Sequence, residues 1–172
     1  MPIVPDSKNW TWVLDETCTE CGLDTRTVAF PDLPARVRAN AAAWPHVLER
    51  SDARVRPDED TWSPLEYGAH VRDVFRIFDG RFRVMLTEDD PTFANWDQDA
   101  TAIEDRYAEQ DPAVVAAELI EAAETVARTL EAVPPAALGR TALRSDGSRF
   151  TVESLGRYFL HDPVHHLHDV TA

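Results

Sequence analysis

Apolar residues recur at three- and four-residue intervals along most of the chain, a period that predicts helices. Four long segments carry it. The first runs from about Leu33 to Arg50, with Pro34 near its start and Ala41, Trp44, Val47 and Leu48 inside; Pro45 is expected to interrupt and kink it. The second opens at Ser63-Pro64-Leu65-Glu66, which reads as N-cap, first-turn proline and the glutamate of a capping box. It continues through Val74, Phe75, Phe78 and Phe82 to about Leu86. The third begins at Asp111-Pro112 and carries Val115, Leu119, Val126 and Leu130 until Pro134-Pro135 stops it. The fourth starts near Thr151 and places Val152, Leu155, Phe159, Leu160, Val164 and Leu167 on one stripe almost to the C-terminus.

Strand patterning is scarce: Asp146-Gly147 is the one turn dipeptide that could join short extended pieces. The connection from Glu88 to Gln110 is rich in acids and holds Phe93, Trp96 and Tyr107. A crossover of that length joins helices that need not be antiparallel neighbours. It reads as a solvated loop, or as one whose Phe93–Asp97 stretch lids the mouth of the bundle. The predicted fold is therefore all-α, a four-helix bundle over residues 31–172 with a long crossover between helices 2 and 3. An irregular N-terminal segment, residues 1–30, precedes it.

Charge narrows the partners. Seventeen Lys and Arg against 31 Asp and Glu give −14 at pH 7, which disfavours nucleic acid and anionic membrane surfaces. No apolar run approaches the roughly 18 residues that span a bilayer. Met1–Asp6 has neither the basic nor the apolar part of a signal peptide, so a cytoplasmic protein is expected. No P-loop, Rossmann glycine pattern or G-x-S-x-G is present, which leaves nucleotide chemistry and serine hydrolysis without support. Trp10, Trp12, Trp44 and Trp62 read as packing residues.

Four of the six histidines fall between His161 and His168. At 100° per residue, His70 lies roughly 60° from the centre of the second helix's apolar face, and His166 roughly 60° from that of the fourth. Asp162, one turn before His166, lies roughly 100° away, whereas His161 and His165 fall about 160° away, on the opposite side. His70, Asp162 and His166 can thus present two imidazoles and a carboxylate to the bundle interior, a donor set suited to Zn, Ni or Fe(II) with positions left open. The same residues could instead be hydrogen-bonded core histidines. A rotated register, His161 and His165 with His70, stays open because Pro163 could kink the helix.

Trp62-Ser63-Pro64-Leu65-Glu66-Tyr67-Gly68-Ala69-His70, followed by His165-His166-Leu167-His168-Asp169-Val170, resembles the DinB-like superfamily, which includes mycothiol-dependent maleylpyruvate isomerases and bacillithiol transferases. The likeness extends from about Leu33 to Val170. It implies a divalent metal held by one histidine of the second helix and two groups four apart on the last, roles that fall on His70, Asp162 and His166. It further implies transfer of a low-molecular-weight thiol, mycothiol being the resembling choice, onto a small-molecule electrophile, and a homodimer. Glu66 and Asp73 are the candidate bases near His70. A metal-dependent hydrolase and a non-catalytic metal- or ligand-binding bundle are the alternatives. Asp162 stands where many relatives have His and the isomerases have Glu.

Cys18-Thr19-Glu20-Cys21-Gly22 resembles half of a zinc knuckle. Two readings stay open: reduced thiols in a turn, or a second, structural zinc completed by His161 and His165 at their i,i+4 spacing.

Overall fold

The computed structural model describes residues 9–172. The first eight positions of the predicted irregular segment, including the Met1–Asp6 stretch read for a signal peptide, lie outside the described residues. Helix α1 spans Leu33–Leu48 and continues through Pro45, so the expected interruption does not occur. Pro45 sits in the last turn, where a single backbone bond is lost and the helix ends three residues later. Helix α2 spans Pro64–Thr87 and begins with both halves of the capping box: Ser63 accepts from the Glu66 backbone, and the Glu66 carboxylate accepts from Ser63.

Helices α4, Pro112–Glu131, and α5, Val152–Thr171, also start on side-chain caps. Asp111 accepts from the backbone N–H of Ala113 and Val114, and Thr151 and Ser154 form a second capping box. Each such cap is worth about 1 kcal/mol.

Helix α4 packs on both α1 and α2, and α5 packs on both as well. Around the bundle the order is therefore α1, α4, α2, α5, and the sequence neighbours α1 and α2 face each other across the diagonal. Trp44, Leu65, Phe75, Phe82, Leu119, Leu155 and Phe159 fill the centre and are completely buried. Each contributes about 1.5–3 kcal/mol relative to exposure. Asn40 of α1 donates to the Pro163 carbonyl of α5 at 2.8 Å and accepts from the Trp44 indole at 3.2 Å, so the buried amide is satisfied from both sides.

The all-α expectation is corrected by a small three-stranded sheet. Strand β1, Thr92–Phe93, pairs parallel with β2, Thr141–Arg144, placing Thr92 opposite Leu143. Strand β2 pairs antiparallel with β3, Arg149–Thr151, placing Ala142 opposite Phe150. Asp146-Gly147 makes the connecting turn, with Gly147 at φ +94°. One face of this hairpin buries Ala142, Arg144 and Phe150, and Phe150 packs on Tyr158 of α5 with ring centroids 5.2 Å apart. The crossover from α2 to α4 also contains a short helix α3, Gln98–Glu104, capped by Asp97.

Short 3-10 turns at Trp10–Leu14, Thr25–Thr27 and Phe30–Asp32 lay the N-terminal segment along α5. Val13, Cys18, Val28 and Phe30 are buried there. The approach is closest at Gly156, where a Cβ would stand 2.6 Å from Leu33 Cδ1 and 2.9 Å from Phe30 Cε2. No helix of the described residues is long and apolar enough to cross a membrane.

Candidate metal centre

The capped start of α2 fixes His70 on its second turn, and the capped start of α5 fixes Asp162 and His166 one turn apart on the facing helix. Packing of α2 on α5 then brings the three side chains together. Their donor atoms lie within 4.8 Å of one another. His70 Nε2 is 3.2 Å from Asp162 Oδ1, and His166 Nε2 is 3.8 Å from the same oxygen. Donors bonded at about 2.0–2.1 Å to a tetrahedral cation stand roughly 3.3 Å apart, so these separations suit one ion.

The surroundings orient the donors. The second nitrogen of His166, Nδ1, lies 3.0 Å from Asp169 Oδ2. A carboxylate there accepts the Nδ1 proton and leaves the Nε2 lone pair toward Asp162. His70 is fully buried; Trp96 stacks on it with centroids 5.2 Å apart and an interplanar angle of 3°, and Trp62 packs at 5.4 Å. Tyr67 lies against His166 at 4.9 Å. Its phenol is pushed up to about 12 by burial and by the charge of Asp169, so it stays protonated.

Burial works to raise the Asp162 pKa, but charge at His70 and His166 and the His70 hydrogen bond hold it down to about 2. Asp169 is likewise lowered: burial opposes ionisation, and the His166 hydrogen bond outweighs it. Asp162 and Asp169 are therefore ionised at neutral pH, and Asp162 offers a carboxylate to a cation. A cleft of about 100 Å³ opens onto Asp162 and His166, with Trp10, Gln98, Tyr158, His161 and His165 as its other walls.

The crossover does close over this end of the bundle, through Trp96. The indole is held by a hydrogen bond to Thr101 on α3 at 2.8 Å, while Phe93 covers the Arg81 guanidinium at 4.7 Å. Nothing in the spacing of the crossover singled out Trp96 as a partner of His70. The nearest signal was an aromatic residue in an otherwise acidic loop.

Glu66 and Asp73, the candidate bases, are each engaged by other partners, and neither joins the donor trio. Glu66 is buried and pairs with Arg56 besides capping α2. Asp73 accepts from Arg72 at 2.9 Å and from the Tyr107 hydroxyl at 2.6 Å. Burial would raise both carboxyls, and these donors hold both below their ordinary values. They are structural anchors because the N-terminal half of α2 turns them toward the loops, away from α5.

His161 and His165 do not join His70. They are also not solvent-facing, as their position opposite the apolar stripe suggested: they are 4% and 7% exposed. The N-terminal segment covers that side of α5 and brings Cys18 and Cys21 to them, with donor atoms of the four residues within 4.8 Å of one another. Burial beside Cys18 pushes the Cys21 thiol up to about 11, and burial beside His165 pushes His161 down to about 4.

Among curated proteins, nothing matches this sequence. Among solved structures, the chain is similar to YfiT from Bacillus subtilis, at 20% identity, with a TM-score of 0.69 and 83% of each chain covered. YfiT is described as a probable metal-dependent hydrolase with an unusual four-helix bundle topology. That likeness concerns the fold alone. The sequence profile of the DinB superfamily matches residues 35–170, and the chain belongs to that superfamily.

Proposed function

We propose that the chain is a divalent-metal-dependent enzyme that transfers a low-molecular-weight thiol, such as mycothiol, to a small electrophile, with His70, Asp162 and His166 as the metal ligands. The observation that carries this reading is the convergence of three donors, two of which, Asp162 and His166, line a cleft. The donor set of two imidazoles and one carboxylate fits Zn, Ni or Fe(II) and leaves positions for other ligands. Bound there, the metal would act as a Lewis acid that lowers the pKa of a thiol and so supplies a nucleophile near neutral pH.

The chain's own residues account for the remaining work. Asp169 holds the His166 tautomer. Trp96 and Trp62 enclose the buried His70, and Tyr67 packs on His166 and steadies its ring. Tyr158 and Gln98 offer polar groups along the cleft for positioning the electrophile. A cleft of about 100 Å³ admits the sulfur-bearing arm of a thiol and leaves the remainder of that molecule outside.

The likeness to YfiT supports a second reading, in which water takes the place of the thiol as nucleophile and the reaction is a hydrolysis. The test combines metal content with turnover. Protein purified without chelator is expected to carry metal that His166→Ala lacks from the interior trio. Consumption of a model electrophile is expected to depend on added thiol. Turnover without thiol would favour the hydrolase. A fully metal-loaded His166→Ala protein would refute the ligand assignment.

A further inference from the structure

We propose that Cys18, Cys21, His161 and His165 form a second, structural zinc site that fastens the N-terminal segment to α5. Neither the family assignment nor the interior trio requires it. The donor pattern is C-x-x-C on the segment and H-x-x-x-H on the helix, the spacings by which two pairs of ligands wrap one tetrahedral zinc. All four donor atoms fall within 4.8 Å of one another. Cys18 Sγ lies 3.6 Å from His165 Nδ1. Bonds of about 2.3 Å to sulfur and 2.0–2.1 Å to nitrogen around a tetrahedral ion put those atoms roughly 3.6 Å apart.

The backbone around the cysteines is shaped for the task. The Gly22 N–H donates to the Cys18 carbonyl at 2.8 Å, and the Cys18 N–H donates to the Leu23 carbonyl at 3.0 Å, folding the chain back on itself. Gly22 sits at φ +75°, a conformation that side chains rarely adopt, so the residue following the second cysteine makes the turn that aims both sulfurs one way.

Burial and hydrogen bonding single out the imidazoles as metal donors. His161 Nε2 is buried without a hydrogen-bond partner among the described residues, a state that interiors avoid unless something else occupies the nitrogen. His165 is held from its far side: its Nε2 lies 3.2 Å from Glu20 Oε2 and 3.7 Å from Asp169 Oδ1, which turns Nδ1 toward Cys18. Carboxylates behind a ligating imidazole are the usual support of a zinc site. Trp10 covers the cluster, with its ring 5.5 Å from His161 and 5.3 Å from His165. Two thiolates and two neutral imidazoles carry a charge of −2, which a zinc ion cancels, so the buried cluster becomes neutral overall.

The placement gives the site a role. His161 and Asp162 are adjacent on α5, as are His165 and His166, so the two donor pairs sit about 100° apart around one helix. Asp169 reaches both, with one oxygen near each of His165 and His166. Zinc in the cysteine cluster would fix the rotation of α5 and, through it, the direction in which Asp162 and His166 point.

The test uses the full chain with His166→Ala, which removes the interior trio. It is expected to retain one zinc per chain, released by a mercurial that titrates the two cysteines. Cobalt in place of zinc is expected to give a thiolate charge-transfer band in this variant, and Cys21→Ser added to it should abolish both the band and the zinc. If the double variant fails to fold, the cobalt spectrum of His166→Ala alone decides. A cobalt spectrum without thiolate bands, or both thiols reacting freely with Ellman's reagent in the protein as purified, would overturn the proposal.

Discussion

Asp169→Ala tests whether the interior donors are organised for a metal, because Asp169 touches no donor of the trio other than His166 in the contacts described above. Its Oδ2 accepts from His166 Nδ1 at 3.0 Å. Without that acceptor the neutral imidazole can place its proton on Nε2, the nitrogen that faces Asp162, and each molecule in that tautomer is unable to bind. Loss of such a supporting carboxylate typically weakens metal affinity by about 10–100-fold, which corresponds to about 1.4–2.8 kcal/mol. The Asp169 side chain is 26% exposed, so water can take over part of its role and the effect should fall near the lower end, about tenfold. The assay is a competition titration against a chromogenic chelator at pH 7. His70→Ala identifies the isotherm that belongs to the trio, and the exposed neighbour His168→Ala serves as control. An Asp169→Ala affinity equal to that of wild type, or no weaker than that of the control, would refute the reasoning.

Other consequences concern the scaffold. Gly156→Ala should destabilise the fold by about 1–3 kcal/mol, because the new methyl would meet Leu33 and Phe30 inside 3 Å; urea denaturation reads it, and an unchanged midpoint would contradict the close packing of the N-terminal segment. Glu66→Gln should lower stability through the lost Arg56 pair and weakened cap while leaving metal affinity unchanged; a loss of metal would return Glu66 to the site. Glu66 and Asp73 both have folded pKa values below their ordinary 4.5 and 3.8. Their contribution is therefore complete above those ordinary values and is lost as pH falls through the lowered folded ones. Melting temperature followed by circular dichroism should decline in that acid range, and Asp73→Asn should flatten the decline.

The bundle was legible because its starts are written in local chemistry. Ser63-Pro64-Leu65-Glu66, Asp111-Pro112 and Thr151 each satisfy orphan N–H groups within a few residues, and the structure begins α2, α4 and α5 at those points. The sheet was not legible. Its strands are two to four residues long, and β2 buries Arg144, whose guanidinium lies over Phe150 and Tyr158 and pairs with Asp146. A buried arginine breaks the polar-apolar alternation by which a strand is recognised. Helix α3 buries no residue, so it leaves no apolar stripe to read.

The candidate site shows the same division. The wheel places His70, Asp162 and His166 on a shared side because α2 and α5 pack through the apolar faces that define the wheel. It misplaces His161 and His165 because what covers them is the N-terminal segment, whose aromatic and cysteine side chains carry no helical period. The cover is a tertiary event between residues more than 140 positions apart in sequence.

The central claim is that one metal ion joins α2 to α5. The most direct measurement is anomalous diffraction at the absorption edge of the bound metal, from crystals of protein purified without chelator. The account predicts a peak within bonding distance, about 2.0–2.2 Å, of His70 Nε2, an Asp162 oxygen and His166 Nε2. Density showing His70 bonded directly to Asp162, with the anomalous signal confined to other parts of the molecule, would contradict it.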